Sequence, residues 1–511
     1  MPLITAWQLL VACVAYFGAR TIYRLWFHPL SHIPGPALAA ISHLPEFYHD
    51  VIKGGMYFQQ VSKYHERYGP IVRISPGELH ISDPAFYDKI YASGAHVREK
   101  DPGQARSFGA PNSMLSTVDH HQHRYRRGLL NRFFSKQSVV NLHPVLEARI
   151  QRLMKRFERM HERGDELNMT AALAAFTADV ISHYCLGMDL RFSEDEAFRN
   201  DIREAHTRII RQCHFTKYFP MVSESLNLLP VWLVRCIQPE MACLLTVQET
   251  VSGLAAEALR RSSSSNSSKD KPQGSLADED TLLGVLAHPS IPAAERTLAR
   301  VQDEAMIVLL AGTETTANAI SMALYRLYTN PTILQRVRDE LQSIVPDPFQ
   351  IPPWSTLERL PYLSATIKES LRLSYGSIAR MARVAPDETL TYKNYRIPPK
   401  TPMSTSTYFV HMDPAIFPDP ERFEPDRWLQ PSGDSLTRFL VPFHRGTRGC
   451  LALNLAYSEL FMVVAAIARR FDLRVQERSV QESRVAREYT APFPAKGDFD
   501  LHCRVSGVID S

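Results

Sequence analysis

The fold is decided by one stretch of the chain, Pro442-Phe443-His444-Arg445-Gly446-Thr447-Arg448-Gly449-Cys450-Leu451-Ala452. A helical pattern follows it from residue 453 to residue 461, so Cys450 lies at or just before a helix N-terminus. The helix dipole and the free amide groups at that position stabilise a thiolate. Gly446 and Gly449 permit a tight turn and the close approach of a flat ligand. This pattern fits a cysteine that ligates a metal from one side, although the loop alone is equally typical of a buried structural thiol.

The spacing Phe443-x-x-Gly446-x-Arg448-x-Cys450 resembles the haem-binding loop of the cytochrome P-450 superfamily. The resemblance implies that haem b binds beside this loop. It also implies that the Cys450 thiolate is the iron ligand and that Phe443, Gly446 and Arg448 contact the cofactor. A thiolate ligand on haem iron promotes O–O cleavage, so the resemblance predicts a haem-thiolate oxygenase.

Two positions of the loop depart from the family pattern. Ala452 stands where the family usually has glycine, and His444 stands where a small residue is common. Alanine for glycine is a mild change. We therefore expect slightly altered packing and no loss of haem.

A second motif of the same family is Glu-x-x-Arg, which occurs here as Glu369-Ser370-Leu371-Arg372. The spacing i, i+3 places the two charged side chains on one face of a helix, where they can pair. A lone Glu-x-x-Arg is a weak signal, because many surface helices contain it. In the family the pair binds an arginine of a downstream loop, and that loop resembles residues 420–423 here. We therefore expect Glu369, Arg372 and Arg422 to form a buried ion network with a structural role.

The long apolar pattern from about residue 298 to residue 330 contains a weak point, Ala311-Gly312-Thr313-Glu314-Thr315-Thr316. Hydroxyl side chains compete for backbone hydrogen bonds, and glycine costs about 1 kcal/mol relative to alanine inside a helix. A packed helix with a Ser/Thr kink would explain this pattern by itself. The family resemblance implies more: the helix crosses the haem and opens locally where dioxygen binds. It also implies that Glu314 and Thr315 are catalytic and relay protons.

Haem propionates need cations, and four residues are candidates. His123 and Arg127 have the spacing i, i+4 where the family has Trp-x-x-x-Arg, and either His or Trp can hydrogen-bond a propionate. Arg383 and Arg448 are the other expected partners. Part of the arginine-rich stretch around residue 125 is also typical of a solvated basic face, which could dock an acidic reductase.

The N-terminus is almost wholly apolar from Leu3 to Ala19, close to the lower limit of about 17 residues for a membrane-spanning helix. Arg20 and Arg24 follow the apolar run, and the positive-inside rule places that side in the cytosol. A cleaved signal peptide is disfavoured, because its charges precede the apolar run and a small-residue cleavage site follows it. Prolines at positions 29, 34 and 36 stiffen the next segment. We therefore expect a single-pass endoplasmic reticulum anchor (1–27), a proline-rich hinge (28–36) and a cytosolic catalytic domain (37–511).

The composition is that of an ordinary globular protein, with 511 residues, of which 45% are hydrophobic and 22% charged. A net charge of +4 and the lack of a basic run with interleaved aromatics argue against nucleic-acid binding. Seven scattered cysteines without a CxxC pair argue against a disulfide framework and a zinc ribbon. Long helical patterns dominate from about residue 142, and strand patterns are short. The expected fold is mainly α with small β-sheets, the cytochrome P-450 fold, with haem between the long oxygen-binding helix and the cysteine-loop helix.

The motifs run from His123 to Cys450 in the order of the family and imply a monooxygenase. Such an enzyme inserts one oxygen atom from dioxygen into a small hydrophobic molecule. The sequence shows no flavin or dinucleotide motif of its own, so electrons are expected from NADPH through a separate NADPH-cytochrome P-450 reductase. The residues expected to line the substrate cavity are Phe108, Met114, Leu310, Ala311, Ile378 and Ala379.

Three stretches, residues 67–74, 133–136 and 454–457, resemble filamentous-fungal enzymes of secondary metabolism, trichodiene oxygenase among them. This analogy suggests a terpenoid substrate. The same chemistry on a polyketide or an indole-alkaloid scaffold is an alternative.

Three rival interpretations are a haem-thiolate isomerase or dehydratase, a haem-binding sensor or carrier, and a zinc protein that uses Cys450. The Glu314-Thr315 pair argues against the first, and a proton relay would have no purpose in a carrier.

Overall fold

A computed structural model describes residues 6–219, 221, 231–237, 242–263, 281–476 and 484–509 of the protein. Helices dominate it and the strands are short, as the sequence predicted. The long helices are α1 (Ala6–Ile22), α2 (Tyr57–Tyr68), α3 (His120–Asn131), α4 (His143–Arg163), α5 (Met169–Ile181), α6 (Asp201–Tyr218), α7 (Ala242–Ser263), α8 (Leu298–Tyr328), α9 (Pro331–Ile344), α10 (Pro361–Ser374) and α11 (Leu453–Arg470). Shorter helices span Ala37–Ile41, Leu44–Phe47, Tyr87–Ile90, Pro102–Arg106, Lys136–Asn141, Val231–Ile237, Leu282–Ala287, Trp354–Leu357, Thr407–His411 and Gly433–Thr437. The strands are β1 (Ile71–Arg73), β2 (Leu79–Ile81), β3 (Glu99–Lys100), β4 (Glu166–Asn168), β5 (Arg383–Val384), β6 (Leu390–Tyr392), β7 (Tyr395–Ile397), β8 (Pro402–Ser404), β9 (Phe471–Val475), β10 (Arg487–Tyr489), β11 (Ala491–Phe493) and β12 (His502–Val508).

Helix α8 forms the centre of the fold and runs unbroken for 31 residues after the capping hydroxyl of Thr297. Helix α5 lies against it so closely that a Cβ on Gly312 would be 2.8 Å from Cγ1 of Ile181. The Thr177 hydroxyl of α5 also donates a hydrogen bond of 2.6 Å to the Thr313 carbonyl oxygen. The weak point in the sequence is therefore a place of close helix packing. The expected local opening of α8 is absent, since the helix is continuous through these residues. The Thr313 and Thr315 hydroxyls donate to the carbonyl oxygens of Leu309 and Ala311 within the helix.

Helix α11 begins just after the cysteine loop and is buried from Leu455 to its end, except at Tyr457. It belongs to the main apolar core together with α4, α5, α8, α9 and α10. The prediction that Cys450 lies just before a helix is confirmed, since α11 starts three residues later. The core therefore fixes the position of the cysteine loop relative to α8.

The largest sheet joins early and late parts of the chain in the order β1-β2-β8-β5-β3. Its strands pair antiparallel except for β2 and β8, which are parallel. The register of β3 and β5 places Lys100 opposite Arg383. A three-stranded sheet has the order β4-β12-β9, and β6-β7 and β10-β11 form two-stranded pairs. The sheet thus brings two cations that are distant in sequence to one edge of the core.

The Glu-x-x-Arg pair lies on α10 and is fully buried. Arg372 donates to the two carboxylate oxygens of Glu369 at 2.8 and 2.9 Å. Arg427 donates to the same carboxylate at 3.1 Å, and the Trp428 indole donates to it at 2.9 Å. The prediction for Arg422 is wrong: its side chain is exposed, and only its carbonyl oxygen accepts a bond from Arg372 at 3.1 Å. The short 3-10 turn after residue 424 carries Arg427 inward instead.

The N-terminal helix α1 is exposed along its described length, at every residue from Trp7 to Arg20. The segment after it is not a free linker, because Leu30 and Ile33 are buried and the Arg73 amide donates to the Pro34 carbonyl oxygen at 2.8 Å. Among the described residues, two helical segments are long and apolar enough to cross a membrane, Met169–Leu186 and α8, but 89% and 61% of their most apolar windows are buried. They are core helices.

Candidate active site

A cavity of about 380 Å³ lies between α8 and the cysteine loop. One face of α8 lines it, at intervals of three or four residues. The opposite wall is the loop itself with the first turns of α11, and cationic side chains lie at one edge. The α8 residues on this wall include Val308, Ala311, Gly312, Thr315 and Ala319. The cavity therefore separates an apolar helix from a single cysteine sulfur.

The backbone of the cysteine loop is fixed by a hydrogen bond and by a turn at Gly446. The Cys450 amide donates to the Phe443 carbonyl oxygen at 2.8 Å, which closes the loop. Gly446 has a φ of 74°, and a Cβ there would lie 2.3 Å from the Tyr91 carbonyl oxygen. Only glycine fits this position, because the conformation and the close approach both exclude a side chain. The geometry leaves the Cys450 side chain directed to the cavity.

The surroundings of Cys450 suit a thiolate that ligates a metal on the side of the cavity. Burial raises the pKa of the Cys450 thiol, while the Ala452 amide and Arg127 lower it. Arg127 is fixed nearby by donating to the Gly449 carbonyl oxygen at 2.7 Å. A structural zinc site needs about four ligands from the protein. Cys450 belongs to no cluster of three metal-binding side chains among the residues described, which argues against the zinc alternative.

Basic side chains lie at one edge of the cavity, and Lys100, His123, Arg127 and Arg448 line it, as does Arg484. Arg383 lies opposite Lys100 across the β3–β5 pair. Within the described chain, Lys100, His123, Arg127, Arg383 and Arg448 form no ion pair with a carboxylate. Burial and mutual repulsion hold the pKa of Lys100 well below its usual range and lower that of Arg448 to about 9. The pKa of His123 falls to about 2 for the same reasons. Buried basic groups without a counter-charge fit an anionic cofactor, to which the arginines bring charge and the neutral His123 can donate a hydrogen bond. These residues therefore match the two propionates of haem.

Lys100 was not among the residues predicted from the sequence. Its ammonium group lies 4.9 Å from the Phe108 ring centroid and donates to the Leu115 carbonyl oxygen. Only the pairing of β3 with β5 places it beside Arg383, and a pairing between strands so distant in sequence leaves no local signal. Arg448 donates to the carbonyl oxygens of Thr117 and Val118 at 2.6 Å each.

The two candidate catalytic residues on α8 have different surroundings. Thr315 lines the cavity, and its hydroxyl donates to the Ala311 carbonyl oxygen at 2.7 Å. Glu314 is buried and pairs with Arg203 at 3.1 Å, which in turn pairs with Asp500 at 2.8 Å. Burial raises the pKa of Glu314, and Arg203 partly offsets that effect. A chain of charged groups therefore connects this carboxyl with a partly exposed aspartate.

Known proteins match this chain over most of its length. A family model for cytochrome P-450 matches residues 33–495. The chain belongs to the cytochrome P-450 family. The cytochrome P-450 monooxygenase aflU of Aspergillus parasiticus is 38% identical, over 99% of each chain. The monooxygenase TRI4 of Trichoderma arundinaceum is 38% identical over 94% of this chain and 92% of its own. The conidiogenone synthase of Penicillium rubens is 38% identical over 95% and 96%, respectively.

A crystal structure of another cytochrome P-450 superimposes with a TM-score of 0.69 at 18% identity and covers 88% of this chain and 94% of its own. This likeness confirms the predicted fold. The relatives are monooxygenases, so the prediction of an oxidoreductase of this class is confirmed as well. The resemblance of this chain to trichodiene oxygenase-like enzymes of fungal secondary metabolism was also predicted correctly. Family membership implies a haem-thiolate iron, which agrees with the open sulfur and the unpaired cations.

In this P-450, half of the predicted cavity residues line the haem cavity. Phe108, Met114 and Ala311 do so. Leu310 does not, because it lies on the core-facing side of α8. Ile378 is fully buried, and Ala379 faces a separate cavity. Residues 374–377, just before Ile378 in the chain, line the haem cavity instead.

The two departures in the cysteine loop have simple structural settings. His444 is half-buried with a positive φ of 54°, and its Nδ1 lies 3.2 Å from the Tyr87 hydroxyl. Burial and the neighbouring Arg383 lower the pKa of His444 to about 3, so it is neutral and adds no charge. Ala452 is the residue before α11 and has an ordinary negative φ of −91°, so glycine is not required there.

Proposed function

We propose that this P-450 is a membrane-anchored monooxygenase that oxidises a terpenoid intermediate of fungal secondary metabolism. One observation carries the proposal. The open sulfur of Cys450 and the hydroxyl-bearing face of α8 at Thr315 border the same largely apolar cavity. Unpaired cations lie along its edge. This arrangement suits a flat anionic cofactor with a hydrophobic substrate above it.

Haem b, when bound, supplies the iron chemistry that activates dioxygen. The Cys450 sulfur would ligate the iron. The proposed partners of the propionates are Lys100, His123, Arg127, Arg383 and Arg448. The apolar lining from α5, α8 and the β10–β11 pair orients a hydrophobic substrate and excludes water.

Protons are proposed to reach the cavity through Glu314. Its carboxyl group is connected by Arg203 to Asp500, whose side chain is 25% exposed. A raised pKa makes Glu314 a better proton donor near neutral pH than an ordinary glutamate. Thr315, the next residue, is the group that presents a hydroxyl to the cavity. We infer that Glu314 moves the proton and that Thr315 holds the position of its acceptor.

Electrons are proposed to come from NADPH through a flavoprotein reductase that docks behind the cysteine loop. Helix α3 touches that loop through Arg127, and it exposes Arg124 near the same surface. Arg132 is exposed as well. Lys136 pairs with Glu358 at 2.8 Å and Arg445 lies 3.6 Å from Asp88, so these two contribute less net charge. An acidic partner would be steered to this basic surface, with a rate that falls as salt is added.

The proposed membrane anchor is α1. Its 17 residues span roughly 25 Å at 1.5 Å per residue, somewhat less than the hydrocarbon core of about 30 Å. The helical turn Tyr23–Phe27 extends it, and the exposed Trp26 suits the interface. Exposed apolar side chains also occur on two segments that touch where the Phe47 and Phe219 rings pack 6.1 Å apart. They are Leu44, Tyr48, Ile52, Phe215, Phe219 and Met221. They support contact of the catalytic domain with lipid, and the charges after α1 favour a cytosolic domain at the endoplasmic reticulum.

The substrate proposal rests on relatives and on the lining of the cavity. The monooxygenase TRI4 and the conidiogenone synthase are both 38% identical to this chain. A wide, mostly apolar cavity favours a hydrocarbon-rich scaffold. Polyketide and indole-alkaloid scaffolds have apolar rings too and remain the alternatives. We therefore propose a terpenoid on the basis of similarity, with the reaction class resting on the site.

Product analysis in a yeast host tests this function. The chain is co-expressed with a fungal reductase and supplied with terpene, polyketide and indole-alkaloid scaffolds. An oxygenated terpenoid is the expected product, and the Cys450→Ser variant is the matched control that should give none. An oxygenated product from another class would replace the terpenoid proposal. An isomerised or dehydrated product without added oxygen would show that the enzyme does not oxygenate.

A further inference from the structure

One face of α6 borders the haem cavity, and a histidine lies in the middle of it. His206 and Ile210 both line the cavity. Arg203, three residues before His206, pairs with Glu314 of α8 at 3.1 Å. Spacings of three and four residues place these α6 side chains on one face of the helix. A polar ring therefore occupies a position in the wall of a largely apolar cavity.

The imidazole ring of His206 has no hydrogen-bond partner among the described residues. Its Nδ1 is enclosed, whereas its Nε2 keeps accessible surface. His206 as a whole is half-buried, and the surface that it retains faces the cavity that it lines. Buried polar groups of proteins nearly always have a partner, so packing in the core does not account for this ring. Nε2 is the ring nitrogen that a molecule in the cavity can reach.

The ring of His206 is neutral and presents a donor to the cavity. Burial lowers the pKa of His206 to about 4, so the ring carries one proton near neutral pH. That proton sits on either Nδ1 or Nε2. On Nδ1 it would be an enclosed N–H without an acceptor, which is rarer in proteins than an acceptor without a donor. We therefore assign the proton to Nε2, where it points into the cavity.

We propose that His206 donates a hydrogen bond from Nε2 to an oxygen atom of the substrate and is a specificity-determining residue. The inference rests on the proposed monooxygenase function and narrows its substrate class to scaffolds that already carry a carbonyl, ether or hydroxyl oxygen. Arg203 joins α6 to α8, and Cys450 lies on the opposite wall of the cavity. The bound oxygen is therefore held on the α8 side, and oxidation falls on a carbon remote from it. An earlier oxygenation or hydration reaction must supply this substrate.

Other groups fit this part of the wall less well. A protonated amine would place its own donors against the N–H of the ring. A carboxylate would lose its water shell beside a neutral ring, and the carboxyl group of Glu314 lines the same cavity. Ordered water would satisfy the ring, but it would not make the enzyme distinguish a ketone from a hydrocarbon of the same shape. Discrimination within such a pair is therefore the property to measure.

The test is a spectral binding titration of the haem-loaded full-length protein with matched probes. In the pairs nootkatone with valencene and fluorenone with fluorene, a ketone oxygen replaces two hydrogens of the same skeleton. The native protein should bind at least one ketone about tenfold more tightly than its hydrocarbon. His206→Leu removes the donor with little change in side-chain volume, and the affinity ratio should fall to near one. His206→Gln keeps an N–H donor and should retain part of the preference.

Ile210→Val is the matched control, because it removes one methylene from the same face of α6 and the same cavity wall. It should change the affinities for ketone and hydrocarbon alike and leave their ratio unchanged. The proposal is overturned if neither ketone is preferred, if the preference survives in His206→Leu, or if Ile210→Val abolishes it equally. A normal carbon monoxide spectrum and turnover of hydrocarbon scaffolds in that case would show that the monooxygenase function stands and only the assignment of His206 fails.

Discussion

Replacing Arg427 with alanine should lower the free energy of unfolding of the protein. Arg427 is 5% exposed and donates to Glu369 at 3.1 Å and to the Pro418 carbonyl oxygen at 3.2 Å. Removing one partner of a buried ion pair costs about 3–5 kcal/mol. Arg372 still compensates Glu369 through two bonds, so we expect the lower end of that range, about 3 kcal/mol.

The effect should reach the cofactor, because the network is connected to the cysteine loop. Arg372 donates to the His411 carbonyl oxygen at 2.9 Å, and the Val441 amide donates to Nε2 of His411 at 2.9 Å. Val441 lies directly before the loop that carries Cys450. Loosening the network should therefore lower the urea concentration at which half of the haem-thiolate carbon monoxide band is lost.

Arg422→Ala is the matched control, since the exposed Arg422 side chain takes no part in the network. Surface substitutions of this kind usually change stability by less than about 0.5 kcal/mol. The urea midpoint of the Arg422→Ala variant should match that of the native protein. Equal losses in the two variants, or a larger loss for Arg422→Ala, would refute the assignment of Arg427 as the third member.

Four further changes have defined outcomes. Thr315→Ala should uncouple NADPH oxidation from product formation, measured as the ratio of the two rates, and an unchanged ratio would favour a non-oxygenating enzyme. Gly446→Ala should abolish haem incorporation, measured by the haem-to-protein ratio, because its Cβ would lie 2.3 Å from a backbone oxygen. Lys100→Met should weaken haem binding about tenfold yet stabilise the haem-free chain by removing a buried unpaired cation, and thermal unfolding of both forms checks the two signs. Burial raises the pKa of Asp50 to about 6, so its contribution to stability is present below pH about 4 and is lost as the pH rises through about 6. The stability of Asp50→Asn relative to the native protein should therefore increase from pH about 4 to about 7, and parallel urea midpoints over that range would contradict the shift.

Local spacing was enough to predict the cysteine loop. Its glycines, its arginine and the helix that follows all lie within about twenty residues, so the pattern encodes its own geometry. The same holds for the Glu-x-x-Arg pair on one face of α10. Helix α8 was predicted in its extent but not in its conformation, because the contact of Gly312 with Ile181 depends on a helix more than a hundred residues away.

The remaining site residues depend on contacts between distant segments. Lys100 reaches the haem cavity only through the pairing of β3 with β5, and Arg203 reaches Glu314 only because α6 lies near α8. The third member of the ion network is Arg427 and not Arg422, because the turn after residue 424 directs Arg427 inward. The motif contains both arginines, five residues apart, and does not show which of them the turn buries. Leu310 was misplaced for a simpler reason: adjacent residues on a helix face different directions, and the sequence did not show which face meets the cavity.

The carbon monoxide difference spectrum of the reduced full-length protein tests the central claim most directly. A thiolate-ligated haem gives a strongly red-shifted band. We predict this band for the native protein and for Cys13→Ser, which changes an exposed cysteine of α1. Cys450→Ser should lose it. An unshifted band or no bound haem in the native protein, or a red-shifted band that survives in Cys450→Ser, would contradict the assignment of Cys450 as the haem ligand.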